Sequence, residues 1–221
     1  MSLSDEITFT CPACQHQQAF TTWQSINITL DPELKEKLLD RSLVTFRCEK
    51  CGHTAGVNQG LLYHDMNRRV MIMLGCQSPD ELESPEPLVQ TFQADYSLRL
   101  VGSMNELIEK VLLLDADLDD RAIEMFKLAV VANIEESQRG NNPQLFFSGI
   151  YANDESEEQI EFALVNEAGT KAVSMPLDQA YHRFVVEFCN SLPTVVSECG
   201  QWLRVDREYA LNHFEAEKGN L

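Results

Sequence analysis

Two Cys-x2-Cys pairs, Cys11/Cys14 and Cys48/Cys51, are the residues of this chain whose type and spacing most directly imply chemistry. Zn2+ takes four tetrahedral ligands, and a Cys-x2-Cys turn supplies two thiolates because its sulfurs converge while nearby backbone N–H groups point at them. Pro12 stiffens the first turn, and Gly52 follows the second, where a positive φ is easily adopted. Four cysteine ligands leave no open coordination position, so the pattern predicts a structural zinc ion. The stretch from Gln15 to Arg47 is longer than the roughly 15 to 20 residues usual between ribbon knuckles, and an inserted strand and helix would account for the excess. Iron is an alternative metal, because four-thiolate sites accept it. Thiol redox chemistry is an alternative use, although neither pair has the strand-to-helix setting of a thioredoxin-like site.

The other candidate residues have plainer explanations beside the functional ones. His16 and His53 each follow a cysteine pair by two positions; either can replace a thiolate, or donate a hydrogen bond to the ligand shell. Tyr63-His64-Asp65 suggests acid–base chemistry, yet neighbours on a strand point to opposite faces, which favours a structural role. Asp117, Asp119 and Asp120 lack the glycine and terminal glutamate of a calcium loop, and helix capping accounts for them. Cys76, Cys189 and Cys199 have no Cys-x2-Cys partner and read as ordinary thiols. The acidic run from Asn153 to Glu158 reads as a solvated loop, with a docking surface for a basic partner as its alternative. No Walker loop, G-x-G-x-x-G or G-x-S-x-G occurs, so no catalytic or cofactor-binding residue is assigned and an enzyme is not the expectation.

The elements that must position the cysteines follow from pattern and punctuation. Thr8 to Thr10 leads as a strand into the first pair, and Gln18 to Thr29 alternates as a second strand. Asp31 and Pro32 open a helix with Leu34 and Leu38 on one face, and Leu43 to Arg47 runs as a strand into the second pair. Leu61–His64 and Arg69–Leu74 form a hairpin around Asp65-Met-Asn67. Further on, Tyr96–Val101 reads as a strand, Ser103 and Glu106 as a capping box for a helix to about Leu114, and Asp117 as the cap of a helix to about Glu136. Leu107, Ile108, Val111 and Leu112 form the packing face of the first of these helices. Strands are expected at 145–151, 159–166 and 171–175, the last two as a hairpin, and helices at 178–190 and 206–217.

Composition bounds the partners. The 221 residues hold 35 acidic against 17 basic side chains, a formal charge of −18. Phosphate backbones need Lys and Arg, so a nucleic-acid ribbon is the third-ranked reading despite Arg41, Arg47, Lys50, Arg68 and Arg69 in the first part. Residues 1–75 carry seven basic and eight acidic residues, and residues 76–221 carry ten and twenty-seven. The Pro- and Glu-rich stretch from Gln77 to Pro87 marks a linker or exposed loop. The expected organisation is a zinc-ribbon-like domain over 1–76, a linker over 77–94 and an acidic domain over 95–221. The fold class is α+β: an N-terminal β-rich zinc-ribbon-like domain with an inserted helix, followed by a second acidic α/β domain. Met1 to Thr10 holds no apolar run of signal-peptide length and no later segment spans a bilayer, which predicts a cytoplasmic protein without a membrane partner. Cysteine pairs in a reducing compartment bind metal more often than they form disulfides.

The order Cys11-Pro12-Ala13-Cys14, Cys48-Glu49-Lys50-Cys51-Gly52, then Leu62-Tyr63-His64-Asp65 resembles the bacterial and archaeal CpXC-domain proteins. Including Glu106–Lys110 and Leu118–Asp120, the resemblance covers about residues 8 to 130. It implies a zinc-ribbon-like fold and a bacterial cytoplasmic setting, and brings no established activity. Glu49 stands where the family's second knuckle usually has proline. The functional expectation is a noncatalytic, zinc-stabilised module that binds a protein partner of basic character; a thiol-based redox or zinc-responsive sensor is the alternative.

Overall fold

A computed structural model of the chain describes residues 1–57, 59–76, 78, 82, 94–189 and 198–218. The chain divides into two compact units, Met1–Met104 with Val195–Leu203, and Asn105–Thr194 with Arg204–Leu221.

The first unit is built on a single six-stranded sheet. β1 (Leu3–Thr10) and β2 (Gln17–Asn27) form an antiparallel hairpin, and the end of β2 pairs parallel with β5 (Leu61–Asp65). β5 and β6 (Val70–Leu74) form the expected hairpin. Its turn is held by the Asp65 carboxylate, which accepts from the backbone N–H of Asn67 and of Arg68, each at 3.0 Å. Between β2 and β5 lie α1 (Glu33–Leu39), which buries Leu34 and Leu38, and a separate two-stranded sheet of β3 (Thr45–Arg47) and β4 (Thr54–Gly56). This is the inserted helix and second knuckle hairpin that the long spacing implies.

Three sequence expectations change in this unit. The strand expected from Leu43 begins at Thr45, because Ser42–Val44 forms a 3-10 turn entered through Arg41 at φ +65°. Asp31 does not cap α1: its carboxylate accepts from Ser2 Oγ at 2.6 Å, and Pro32 occupies the position before the helix. The expected strand near 96–101 is β7 (Ser97–Val101), and it pairs parallel with β6 instead of joining the second domain. A parallel pair needs a long crossover, so the composition break at 77–94, most of which lies outside the described residues, interrupts the sequence without ending the sheet. β11 (Trp202–Leu203) adds a parallel edge to β7.

The second unit packs helices against a three-stranded antiparallel sheet ordered β10-β9-β8, with β8 at Gln144–Ala152, β9 at Glu158–Asn166 and β10 at Gly169–Pro176. α2 (Met104–Asp115) and α3 (Asp120–Asn133) are followed by a short α4 (Glu136–Arg139). A π-helical turn at Leu177–His182 leads into α5 (Arg183–Phe188), and α6 spans Arg207–Lys218. The core gathers Leu113, Ile123, Phe126, Phe147, Ile160, Phe162, Tyr181 and Phe184. Each fully buried side chain of this kind contributes about 1.5–3 kcal/mol.

Asp117 is not a cap of α3. It sits at φ +54° in the left-handed position that closes α2, where its N–H donates to Leu114 O at 3.2 Å and the Leu118 N–H donates to Leu113 O at 3.0 Å. Asp119 takes the capping role, accepting from the Arg121 N–H at 2.9 Å. The buried face of α2 also differs from the apolar reading: Glu109 and Lys110 are buried beside Leu107, Val111 and Leu113.

Candidate metal centre

Both cysteine knuckles are made by the same backbone device. In the first, between β1 and β2, the Cys11 N–H donates to His16 O at 2.8 Å and the Gln15 N–H donates to Cys11 O at 2.9 Å. In the second, between β3 and β4, the Cys48 N–H donates to His53 O at 2.8 Å and the Gly52 N–H to Cys48 O at 2.9 Å. The residue after each second cysteine turns left-handed, Gln15 at φ +59° and Gly52 at φ +71°. Only the second knuckle uses glycine for this, so the first carries the steric cost of a Cβ in that conformation.

The two knuckles close on one another. The Cys11 and Cys51 sulfurs are 3.7 Å apart and those of Cys14 and Cys48 are 3.6 Å apart, and all four lie within 4.8 Å of one another. A disulfide needs about 2.05 Å, and these thiols are free. With metal–sulfur bonds of about 2.3 Å, the edge of a tetrahedral site is about 3.8 Å, so the donor set fits zinc in both chemistry and spacing. Among the described residues, no other group of three or more His, Cys, Asp or Glu side chains converges in this way.

The protonation of the cysteines shows what a cation would do here. Burial pushes the Cys48 thiol up, but hydrogen bonds from the backbone of Cys51 and Lys50, and from Cys14 and Cys51, bring it down to about 7. At Cys51 the His53 backbone N–H favours the thiolate, yet hydrogen bonding with Cys14, burial, and the Cys48 and Cys11 sulfurs push it up to about 12. One sulfur ionises at the expense of its neighbours, and a divalent cation removes that competition.

A small aromatic core seats the knuckles. The Phe9 and Phe46 rings lie 4.3 Å apart, and the Phe20 ring lies 5.9 Å from Phe46. Cys11, Phe46 and Cys48 are buried with them. Gln18 of β2 fastens the second knuckle to the first hairpin. Its Nε2 donates to Arg47 O at 3.1 Å, and its Oε1 accepts from the Glu49 N–H at 2.9 Å. A proline at position 49 would have no N–H to give, so the residue that departs from the usual knuckle pattern is the one this clamp uses. Nothing in the pattern of a polar residue on an alternating strand marks Gln18 in advance.

The remaining candidates fall outside the cluster. His16 and His53 supply backbone carbonyls to the knuckles, and neither side chain joins the sulfurs. Tyr63 and Asp65 are buried, whereas the His64 ring lies tilted against the Tyr96 ring with centroids 5.5 Å apart, 3.3 Å from its hydroxyl and 3.4 Å from the Asn27 amide nitrogen. Burial holds the His64 imidazole below its usual range, with a further push from the N-terminal charge, and Asp65 opposes both. Asp117, Asp119 and Asp120 serve a helix end, a cap and an ion pair to Lys110 respectively. The 153–158 loop is exposed and held by Asn153, whose side chain accepts from the Glu155 and Glu157 N–H groups at 3.0 and 2.9 Å.

A model of the CpXC protein family matches residues 9–127. The chain belongs to the CpXC family. The match takes in both knuckles, the β5 segment Leu62–Asp65, all of α2 and the first half of α3. No curated protein and no solved structure matches the chain. No helix among the described residues is long and apolar enough to cross a membrane.

Proposed function

We propose that this CpXC chain is a noncatalytic protein-interaction module in which Cys11, Cys14, Cys48 and Cys51 hold a structural Zn2+ ion. The observation that carries the reading is the closure of two identically bonded knuckles into one four-sulfur cluster. When bound, the ion neutralises the converging thiolates and ties the β1–β2 hairpin to the β3–β4 hairpin. The residues around it hold shape: Phe9, Phe20 and Phe46 pack beneath, and Gln18 fixes the second turn. No donor position is left for a substrate.

The partner in this reading is a basic protein surface. The second unit holds nine basic and twenty-one acidic residues, and its exposed 153–158 loop concentrates Asp154, Glu155, Glu157 and Glu158. Such a surface steers cationic partners by long-range attraction. A zinc-responsive or redox sensor is the second reading, favoured by the exposure of Cys51, which lets an oxidant reach one ligand.

Metal analysis by plasma mass spectrometry on untagged protein, purified without chelator, tests the first half; about one zinc per chain is expected from a closed four-ligand site. Affinity capture at two salt concentrations tests the second half, comparing the chain with its Asp154→Asn, Glu155→Gln, Glu157→Gln, Glu158→Gln variant. A partner lost on neutralisation supports the reading. Retention of every partner by the variant refutes it, and zinc released rapidly by peroxide moves the sensor forward.

A further inference from the structure

Within the second compact unit, α2, α3, the start of β8 and the segment Val205–Arg207 line a half-open cavity of about 240 Å3. It shares no residue with the cysteine centre. Leu128, Val131, Pro143, Leu145 and Phe146 give it an apolar lining. Its inner charged residues are nearly dry, Glu109, Lys110 and Glu124 keeping only 1%, 4% and 5% of their side-chain surface exposed, whereas Asn142, Gln144 and Arg207 at its mouth are exposed.

These charges form one connected network. Glu109 Oε1 accepts from the Phe147 N–H at 2.6 Å and from Lys127 Nζ at 3.0 Å. Lys127 Nζ also donates to Glu109 Oε2 at 3.1 Å and to Glu124 Oε1 at 2.8 Å. Lys110 Nζ donates to Val205 O at 2.7 Å and pairs with Asp120 at 3.0 Å. Three carboxylates, Glu109, Asp120 and Glu124, therefore face two ammonium groups. Glu106 and Asp206, which also line the cavity, both pair with Arg204, and Arg207 is the third cation of the lining. Among the lining residues, Glu106, Glu109, Glu124 and Asp206 face Lys110, Lys127 and Arg207, a formal excess of one negative charge.

The excess has an address. Glu124 lines the cavity; its Oε1 is engaged by Lys127 at 2.8 Å and lies 3.9 Å from Lys110, and its Oε2, which takes no hydrogen bond among the described residues, keeps access to the cavity. Both lysines are already held by oxygens, so an incoming anion would have to break existing pairs, whereas a cation would complete the count. The field of the unit acts in the same direction, with nine basic against twenty-one acidic residues.

We propose that this cavity binds a small organic monocation, an ammonium or guanidinium group on an apolar body, with Glu124 as its counter-ion and Leu128, Val131 and Phe146 around its apolar part. The volume lies below the roughly 300–1,000 Å3 of pockets for drug-sized ligands, so the ligand is smaller than these. Burial pushes the Glu124 carboxyl up, which describes the same site before the cation arrives: a proton there relieves the excess charge.

The test is an amide-detected NMR titration of the full metal-loaded chain with n-hexylammonium, beside hexanoate and 1-hexanol as matched probes of opposite and zero charge. The expected result is saturable shifts at Leu128, Val131, Phe146 and Phe147, with hexylammonium binding at least about tenfold more tightly than either control. Glu124→Gln should weaken it by about tenfold, and Leu128→Trp, which fills the cavity and leaves every charge in place, should remove the saturable shifts. Equal binding of the three probes, preference for hexanoate, shifts that never saturate, or binding unchanged by Leu128→Trp would each overturn the proposal. If Glu124→Gln does not fold, Leu128→Trp and the probe comparison decide alone.

Discussion

Stripping the metal from the cysteine centre should unfold the knuckles and leave the three-stranded sheet of the second unit intact. The core beneath the knuckles is small, with Phe46 buried and Phe9 and Phe20 partly so. Even counted as fully buried, three phenylalanines contribute about 5–9 kcal/mol. A structural zinc ion contributes about 10–16 kcal/mol in zinc-finger peptides at neutral pH, so a zinc ion bound here would be the larger of the two. Its removal also leaves four sulfurs within 4.8 Å competing for protons. Four amides report on this directly: Cys11, Gln15, Cys48 and Gly52 each donate across a knuckle. A loss of even about 4 kcal/mol shortens their hydrogen-exchange protection about a thousandfold. The assay is amide exchange before and after a strong chelator, with Phe162 and Leu164 of the central strand β9 as internal references. The reasoning fails if a chain proven metal-free by mass spectrometry keeps full protection at all four knuckle amides.

Further consequences are open to direct measurement. Lys127→Met leaves Glu109 and Glu124 buried without their shared cation and should cost about 3–5 kcal/mol, read from exchange of Phe162; adding Glu109→Gln and Glu124→Gln should recover much of that loss, and no recovery would show the effect to be packing. Gly52→Ala has open space but a φ of +71°, so it should cost about 1–2 kcal/mol, whereas Gln15→Gly relieves the matching strain and should gain several tenths of a kcal/mol after its entropy cost. Urea unfolding of both metal-loaded variants checks the pair, and equal effects in the same direction would contradict the shared knuckle geometry. Burial holds His64 below its ordinary value of 6.5, so the unfolded chain takes up this proton more readily than the folded one. This contribution to stability is complete above the unfolded value and falls away as pH drops through it toward the lowered folded one. The stability difference between the native chain and His64→Gln should therefore shift in favour of the variant between about pH 7.5 and pH 5, and a pH-independent difference would refute it.

The four-cysteine cluster was legible because cysteine spacing is local: a turn of four residues fixes where two sulfurs point, and Cys11–Cys14 and Cys48–Cys51 needed only to meet. The hairpin around Asp65, the strands near 145, 159 and 171, and the final helices also carry their signals in short windows. What escaped the reading is non-local. β7 joins β6 across a long connection whose composition looks like a boundary, and parallel pairing leaves no turn signature at either strand. Asp117 and Asp119 are both good capping residues by type, and only the left-handed turn at Asp117 tells them apart. Glu109, Lys110, Glu124 and Lys127 look like solvated helix charges until two helices bring them together, because burial of a charge depends on partners elsewhere in the chain.

The strand β11 has a consequence for how the protein is made. Residues 105–194 are inserted between β7 and the segment that edges it, and the chain then returns to the second unit to form α6. A ribosome completes almost the whole of both units before it delivers Trp202 and Leu203. Until then the nascent sheet ends at β7, whose unpaired backbone is open to another chain. A fragment cut at the composition break keeps neither β7 nor β11, and one cut after Met104 keeps β7 without its edge. An N-terminal fragment of either kind therefore exposes an open sheet edge, and only a chain that carries residues 1–203 preserves the whole first sheet.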